Sequence, residues 1–202
     1  MLVVLSGISL LSGSALGGLN ELTKEQAQNN ILKFKKIPAV VRIYQDATGK
    51  ELAGPELAKV EESLLAEKKE LKMGEKEEPK LLFVIKKDGK PYAVALEDFG
   101  QGFGGALGVM IGFELQTGNL VGVGITTLSE TPGVGSRVTQ PAFAEQFKGM
   151  SKDTVFKVKK DGGAIDAISG ATISSRAVSA AVAQANAFYQ EHADQIRKAV
   201  EE

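Results

Sequence analysis

Two turn-punctuated apolar runs between Leu81 and Leu128 constrain this chain more than anything else in it. Residues 81–87 read Leu-Leu-Phe-Val-Ile-Lys-Lys, meet Asp88-Gly89, and resume as Pro-Tyr-Ala-Val-Ala-Leu-Glu at 91–97. Asp-Gly between two such runs is the signature of a two-residue hairpin turn, whose central residues both need positive φ. A second pair follows, 107–114 and 119–128, joined at Thr117-Gly118. Beyond it, Pro141 to Phe147 reads as a short helix. Thr154 to Lys159 alternates like a strand, and everything from Ile173 onward is helical and rich in alanine. The compact domain expected from this pattern is residues 80–202.

Ahead of it the chain has a different character. Residues 1–19 carry no charged side chain. As a helix they would extend roughly 28 Å, close to the ~30 Å hydrocarbon core of a bilayer. Ser9, Gly13 and Gly17 stand four apart, a spacing that lets membrane helices approach closely. The alternative, a cleaved signal peptide, would want a basic start and an A-x-A site, and neither is present. A transmembrane anchor is the expectation for 1–19; lysines follow it and none precede it, which by the positive-inside rule would put the C-terminal bulk in the cytoplasm. Thr23-Lys24-Glu25-Gln26 fits a capping box opening a helix that Pro38 would close. Gly54-Pro55 starts another, with Leu57, Val60, Leu64, Leu65 and Leu71 on one face. From Glu56 to Lys80, 14 of 25 residues are charged, so residues 20–79 read as a helical, charge-rich stalk. The fold class expected is α+β: a transmembrane helix and helical stalk, then a domain of mainly antiparallel hairpins with a long C-terminal helix.

Composition narrows the chemistry. There is no cysteine, and His192 is the one histidine. Disulfides, thiolate metal sites and cysteine nucleophiles are excluded within the chain. No metal site is expected. A net charge of −1 gives no basic field for nucleic acid. The 23 glycines exceed the usual share, and three small-residue segments could carry function. Gly100-Gln101-Gly102-Phe103-Gly104-Gly105 lies between strand-like runs, so it reads as a connection rather than a dinucleotide fingerprint. Ser129-Glu130-Thr131-Pro132-Gly133-Val134-Gly135 suits a type II turn with Gly133 at positive φ. It could serve as an ordinary turn or present amides to an anion or flat ring. Asp166-Ala167-Ile168-Ser169-Gly170-Ala171-Thr172-Ile173-Ser174-Ser175 runs into the last helix. Free amides there attract phosphate, and a plain helix cap is the simpler reading.

Taken in order, GALGVMIGFELQTGNLVGVGITTLSETPGVG, FAEQFKG and DAISGATISS resemble the covalent FMN-binding subunits of respiratory ion pumps. The likeness is nearest to the G subunit of the Rnf complex, and the C subunit of the sodium-translocating NADH:quinone reductase is a cousin. The last segment matches the flavinylation pattern D-x-x-[ST]-G-A-[TS]. The resemblance implies covalent FMN on Thr172 through a phosphoester, installed by a separate flavin transferase that uses FAD. It implies that Ser169, Gly170 and Ala171 support the attachment, that Glu130, Thr131 and Gly133 border the ring, and that Asp166 matters to the transferase. No catalytic residue is expected in the chain itself. The implied function is a membrane-anchored electron carrier among other membrane subunits of a complex coupling ferredoxin:NAD⁺ electron flow to ion transport. Its FMN domain would face the periplasm or exterior of a single-pass protein. The alternatives are the quinone-reductase subunit and a stand-alone extracytoplasmic flavin carrier.

Overall fold

The computed structural model of the chain describes residues 2–72 and 79–201. It resolves into two compact units, residues 1–35 and 36–202, each taken by itself below. Met1 of the expected anchor and residues 73–78 of the charge-rich stretch lie outside the described residues.

The first unit is dominated by one helix, α1 (Leu2–Ile31). Its large apolar side chains, Val4, Leu5, Ile8, Leu10, Leu11, Leu16, Leu19 and Leu22, are all exposed. Among the described residues no helix is long and apolar enough to cross a membrane. This overturns the expected transmembrane helix, and with it the membrane-anchored and single-pass placement. The physical reason is dilution. Eight serines and glycines among the first 19 residues hold the hydropathy down, and the helix continues without a break into the polar Asn20–Asn30 stretch. The capping box is likewise corrected. Thr23 lies inside the helix and its hydroxyl donates back to the Leu19 carbonyl at 2.8 Å, so no helix begins there; the side chain of Glu25 is outside the described set. A wider π-type turn occupies Leu32–Lys36. Pro38, expected to close a helix, sits instead in the first turn of the next one, α2 (Ile37–Thr48), where its missing N–H costs nothing.

The second unit is a five-stranded antiparallel meander with a helix on each face. After α2 and α3 (Gly54–Ala66) come β1 (Lys69–Leu71), β2 (Lys80–Lys87), β3 (Lys90–Gln101), β4 (Ala106–Glu114) and β5 (Leu120–Thr127). They pair in chain order. The Asp88-Gly89 turn has φ of 53° and 78°, the mirror-image turn a tight hairpin prefers. Leu71, expected on a helix face, belongs to β1 and pairs with Lys80. The expected strand at Thr154–Lys159 is absent; a single parallel bridge, Val158 to Ile165, stands in its place.

Strand alternation assigns the two faces. Leu107, Val109, Ile111 and Phe113 of β4 join one core with Ala177, Val178, Ala181, Val182, Ala185 and Tyr189 of α5 (Thr172–Glu201). Phe113 and Tyr189 stack there, centroids 4.5 Å apart. The opposite face meets α2, and glycine makes the approach possible. A β-carbon on Gly112 would lie 2.3 Å from Ile43, and one on Gly124 would lie 2.9 Å from the Ala39 backbone. With helices on both sides, β2 to β5 are almost wholly buried along their central residues. Between β5 and α5 run the short helix α4 (Pro141–Ala144) and a 3₁₀ turn at Glu145–Phe147, closing on the core through Phe143 and Phe147.

Candidate functional site

The site begins where α5 starts. Ala171 is the last non-helical residue, and its carbonyl accepts the first helical bond, from the Ser175 N–H at 2.9 Å. The amides of Thr172, Ile173 and Ser174 therefore open the helix with no backbone acceptor, as the first amides of any helix do. Ser175 is the internal brace. Its hydroxyl accepts from the Ile168 N–H and donates to the Ala171 carbonyl, so the loop before the helix folds back on its first turn. Gln146 clamps the same loop, accepting from the Asp166 N–H at 2.7 Å and donating to the Asp166 carbonyl. Arg137 donates to the Ser169 carbonyl at 3.2 Å.

Facing this helix start is the loop after β5. The Thr131 carbonyl accepts from the Val134 N–H, and Gly133 has φ of 74°. This is the type II turn that Pro132-Gly133 encodes. The third segment is the turn between β3 and β4, closed by the Gly102 N–H donating to the Gly105 carbonyl at 2.9 Å. At its tip Phe103 is 73% exposed.

These three segments enclose a cleft of about 400 Å³, lined by Phe103, Glu130, Thr131, Val134 and Gly135 on one side and Gly170 to Ser174 on the other. That volume is within the range of small-molecule sites. Of the residues singled out from sequence, Thr172, Gly170, Ala171, Glu130 and Thr131 share this cleft. Gly133 and Ser169 do not line it: Gly133 shapes the turn behind it, with its N–H donated to Ser136, and Ser169 anchors the loop through its carbonyl. Asp166 lies away from the cleft in an exposed 2.6 Å ion pair with Lys159. Val134 and Gly135 belong to the ETPGVG loop that the resemblance places beside the ring, whereas Phe103, Ile173 and Ser174 are lining residues that sequence reasoning missed. Phe103 sits in a glycine-rich stretch that reads as a connection, and its contribution depends on a turn placed next to a helix that begins some 70 residues later. The Ser174 hydroxyl donates to the Glu130 carboxylate at 2.7 Å.

The cleft has two chemical ends. The helix start offers free amides and the favourable end of the helix dipole to an anion. Gly170 has φ of 80°, and a β-carbon there would meet nothing within 4 Å, so the approach to Thr172 is open. No hydrogen-bond partner of the Thr172 hydroxyl is found among the described residues. The rim of Phe103, Val134 and Ile173, all exposed, suits a flat apolar ring. An anionic group joined to an aromatic ring system, which is what FMN is, fits both ends. Among the described residues there is no cluster of acidic or histidine side chains able to hold a metal ion.

Part of the chain resembles known proteins. Residues 102–187 match the FMN-binding domain family. The chain is 35% identical over 114 residues to the G subunit of the ion-translocating oxidoreductase complex of Salmonella typhi, covering 53% of this chain and 55% of that protein. It is 36% identical over 118 residues to the subunit of the same description from Cronobacter sakazakii, covering 55% and 56%. The chain thus spans little more than half the length of these relatives. The crystal structure of the C subunit of the Na(+)-translocating NADH-quinone reductase from Parabacteroides distasonis aligns with a TM-score of 0.49 and 24% identity, over 72% of this chain and 73% of that one. Every residue lining the cleft falls within residues 102–187, the segment that matches the FMN-binding domain family.

Proposed function

We propose that the chain carries FMN covalently on Thr172, through a phosphoester, and serves as an electron-carrying subunit of an ion-translocating oxidoreductase complex. The observation that carries this reading is the position of the Thr172 hydroxyl. It stands at the first residue of α5, beside free amides, behind the small Gly170-Ala171 pair, and on the wall of a cleft with an apolar rim. Bound there, FMN supplies the reversible electron acceptance that no side chain of this protein can provide. The chain's own residues bind and orient. The amides of Thr172 to Ser174 neutralise phosphate charge, and Phe103, Val134 and Ile173 exclude water from one edge of the ring.

Attachment needs help from outside the chain. A threonine hydroxyl is a poor nucleophile without a base. His192 is 20 residues further along α5, about 30 Å by helical rise, and packs edge-on against Phe188. A separate flavin transferase is therefore part of the proposal, and the relatives' description supports the other components of such a complex as partners. Co-expression with a flavin transferase, followed by denaturing electrophoresis read by in-gel fluorescence and by peptide mass mapping, tests the attachment. The wild-type band is expected to fluoresce with the added mass on Thr172. Thr172→Ala is expected to give a folded, non-fluorescent protein, and Thr172→Ser a partly labelled one. Flavin mass on Ser169, Ser174 or Ser175 would refute the assignment.

A further inference from the structure

The Glu130 carboxylate lines the cleft, yet both its oxygens are engaged by the protein. Oε2 accepts from the Ser174 hydroxyl at 2.7 Å, and Oε1 accepts from the Gly104 N–H at 3.3 Å. The residue is only 8% exposed. Its seat also dictates two glycines. A β-carbon on Gly102 would lie 2.0 Å from Oε1, and one on Gly135 would lie 2.4 Å from Oε2 and 2.7 Å from the Ser174 hydroxyl. One carboxylate thus joins the turn that bears Phe103, the loop on which Glu130 itself sits, and the third residue of α5, two positions after Thr172.

We infer that Glu130 is a positioning residue that holds the Phe103 turn and the first turn of α5 in one register and fixes a negative charge in the wall of the cleft. This rests on the reading that FMN occupies the cleft. Hydrogen bonds to an ionised acceptor are stronger than neutral ones. Burying that acceptor would be costly without them, so removing the side chain releases both segments together. The fixed charge has a separate consequence. A carboxylate facing the cleft opposes the arrival of further negative charge, so it lowers the potential at which bound flavin takes up electrons.

Two variants separate these roles. Glu130→Gln keeps the shape and an acceptor oxygen but removes the charge; Glu130→Ala removes both. In the apoprotein, amide hydrogen exchange is expected to quicken about tenfold or more at Gly104 and at residues 175–178, the first hydrogen-bonded amides of α5, in Glu130→Ala. The central strands should be unchanged, and Glu130→Gln should stay near wild type. In flavin-loaded protein, Glu130→Gln is expected to raise the midpoint potential while the flavin remains on Thr172. If Glu130→Ala does not fold, Ser174→Ala breaks one arm of the same tie and is expected to quicken exchange at residues 175–178. Unchanged exchange at these sites in the alanine variants, or a Glu130→Gln potential equal to wild type, would overturn the inference. A wild-type protein that takes no flavin on Thr172 would count against the parent reading instead, with the apoprotein exchange still deciding the tie.

Discussion

Helices α1 and α5 are both 30 residues long and both rich in small residues, yet the chain uses them in opposite ways. In α5 the buried positions recur at Ala177, Val178, Ala181, Val182, Ala185 and Tyr189, a stripe at helical period that lies on the sheet. Its alanines and serines are small because the helix must approach β3 and β4 closely. In α1 the leucines and valines fall on several sides, every large apolar residue described is exposed, and a β-carbon on Gly7, Gly13, Gly17 or Gly18 would meet nothing within 4 Å. The glycines of α1 therefore accommodate no close neighbour. The same composition signals close packing in one helix and mere dilution of hydropathy in the other; what distinguishes them is period.

The sharpest way to break this contrast is to place one charge in each helix. Ala181 is completely buried in the core, and Ala181→Asp would bury an unpaired carboxylate there. A loss of several kcal/mol is expected, enough to prevent cooperative folding by circular dichroism and thermal melting. Leu11, 75% exposed, should tolerate the same change within about 0.5 kcal/mol. Equal damage from Leu11→Asp would mean that α1 is packed as tightly as α5.

The next contrast is intrinsic helix propensity, and it is smaller. Ala180 is on the exposed side of α5, so Ala180→Gly should cost about 1 kcal/mol. For a protein of this size that is roughly 2–4 °C in Tm. Gly13→Ala should strengthen α1 by a similar local amount. Because α1 is a separate compact unit, the midpoint of the main thermal transition is expected not to move, while helical ellipticity rises. A shift of that midpoint by Gly13→Ala would show that the two units unfold together.

The difference in period also explains what can be read in advance. The two hairpins are legible because Asp88-Gly89 and Thr117-Gly118 announce local turns, and α5 is legible because its stripe is internal to one segment. The position of α2 is not legible. It depends on Gly112, Gly122 and Gly124 leaving room on the far face of the sheet, which a strand pattern cannot distinguish from ordinary glycine dilution. The anchor expectation failed for a related reason. Nineteen residues without charge are not 19 apolar residues, because serines and glycines thin out the side chains that a bilayer would reward. At the cleft, the ETPGVG loop and the start of α5 stand out in the sequence. Nothing local shows that Ser174 reaches Glu130, 44 residues earlier in the chain, or that Phe103 arrives at the same rim. Those depend on the fold of the whole domain.

The smallest expected effect concerns one ion pair on each helix. Near the start of α5, Arg176 donates to both oxygens of Asp161, at 2.6 and 2.7 Å. These hydrogen bonds, with the guanidinium charge, hold the Asp161 carboxyl below its ordinary value of 3.8. On α1, Glu21 and Lys24 approach only to 4.0 Å and are more exposed. A carboxyl whose folded pKa is depressed adds stability that is fully present above its unfolded value and is lost as pH falls through the lowered folded value. Asp161→Asn should therefore lower Tm slightly at pH 7, and the gap from wild type should close as pH falls below about 3.8. Salt should narrow the gap as well, because both groups lie at the surface. Glu21→Gln should leave Tm unchanged at every pH, since an exposed i,i+3 pair at that distance gives almost nothing to lose. Thermal melts of both variants from about pH 2.5 to about pH 7, at two salt concentrations, measure this directly. An Asp161→Asn deficit that persists at the acid end would mean that the bidentate contact holds the start of α5 by shape rather than by charge.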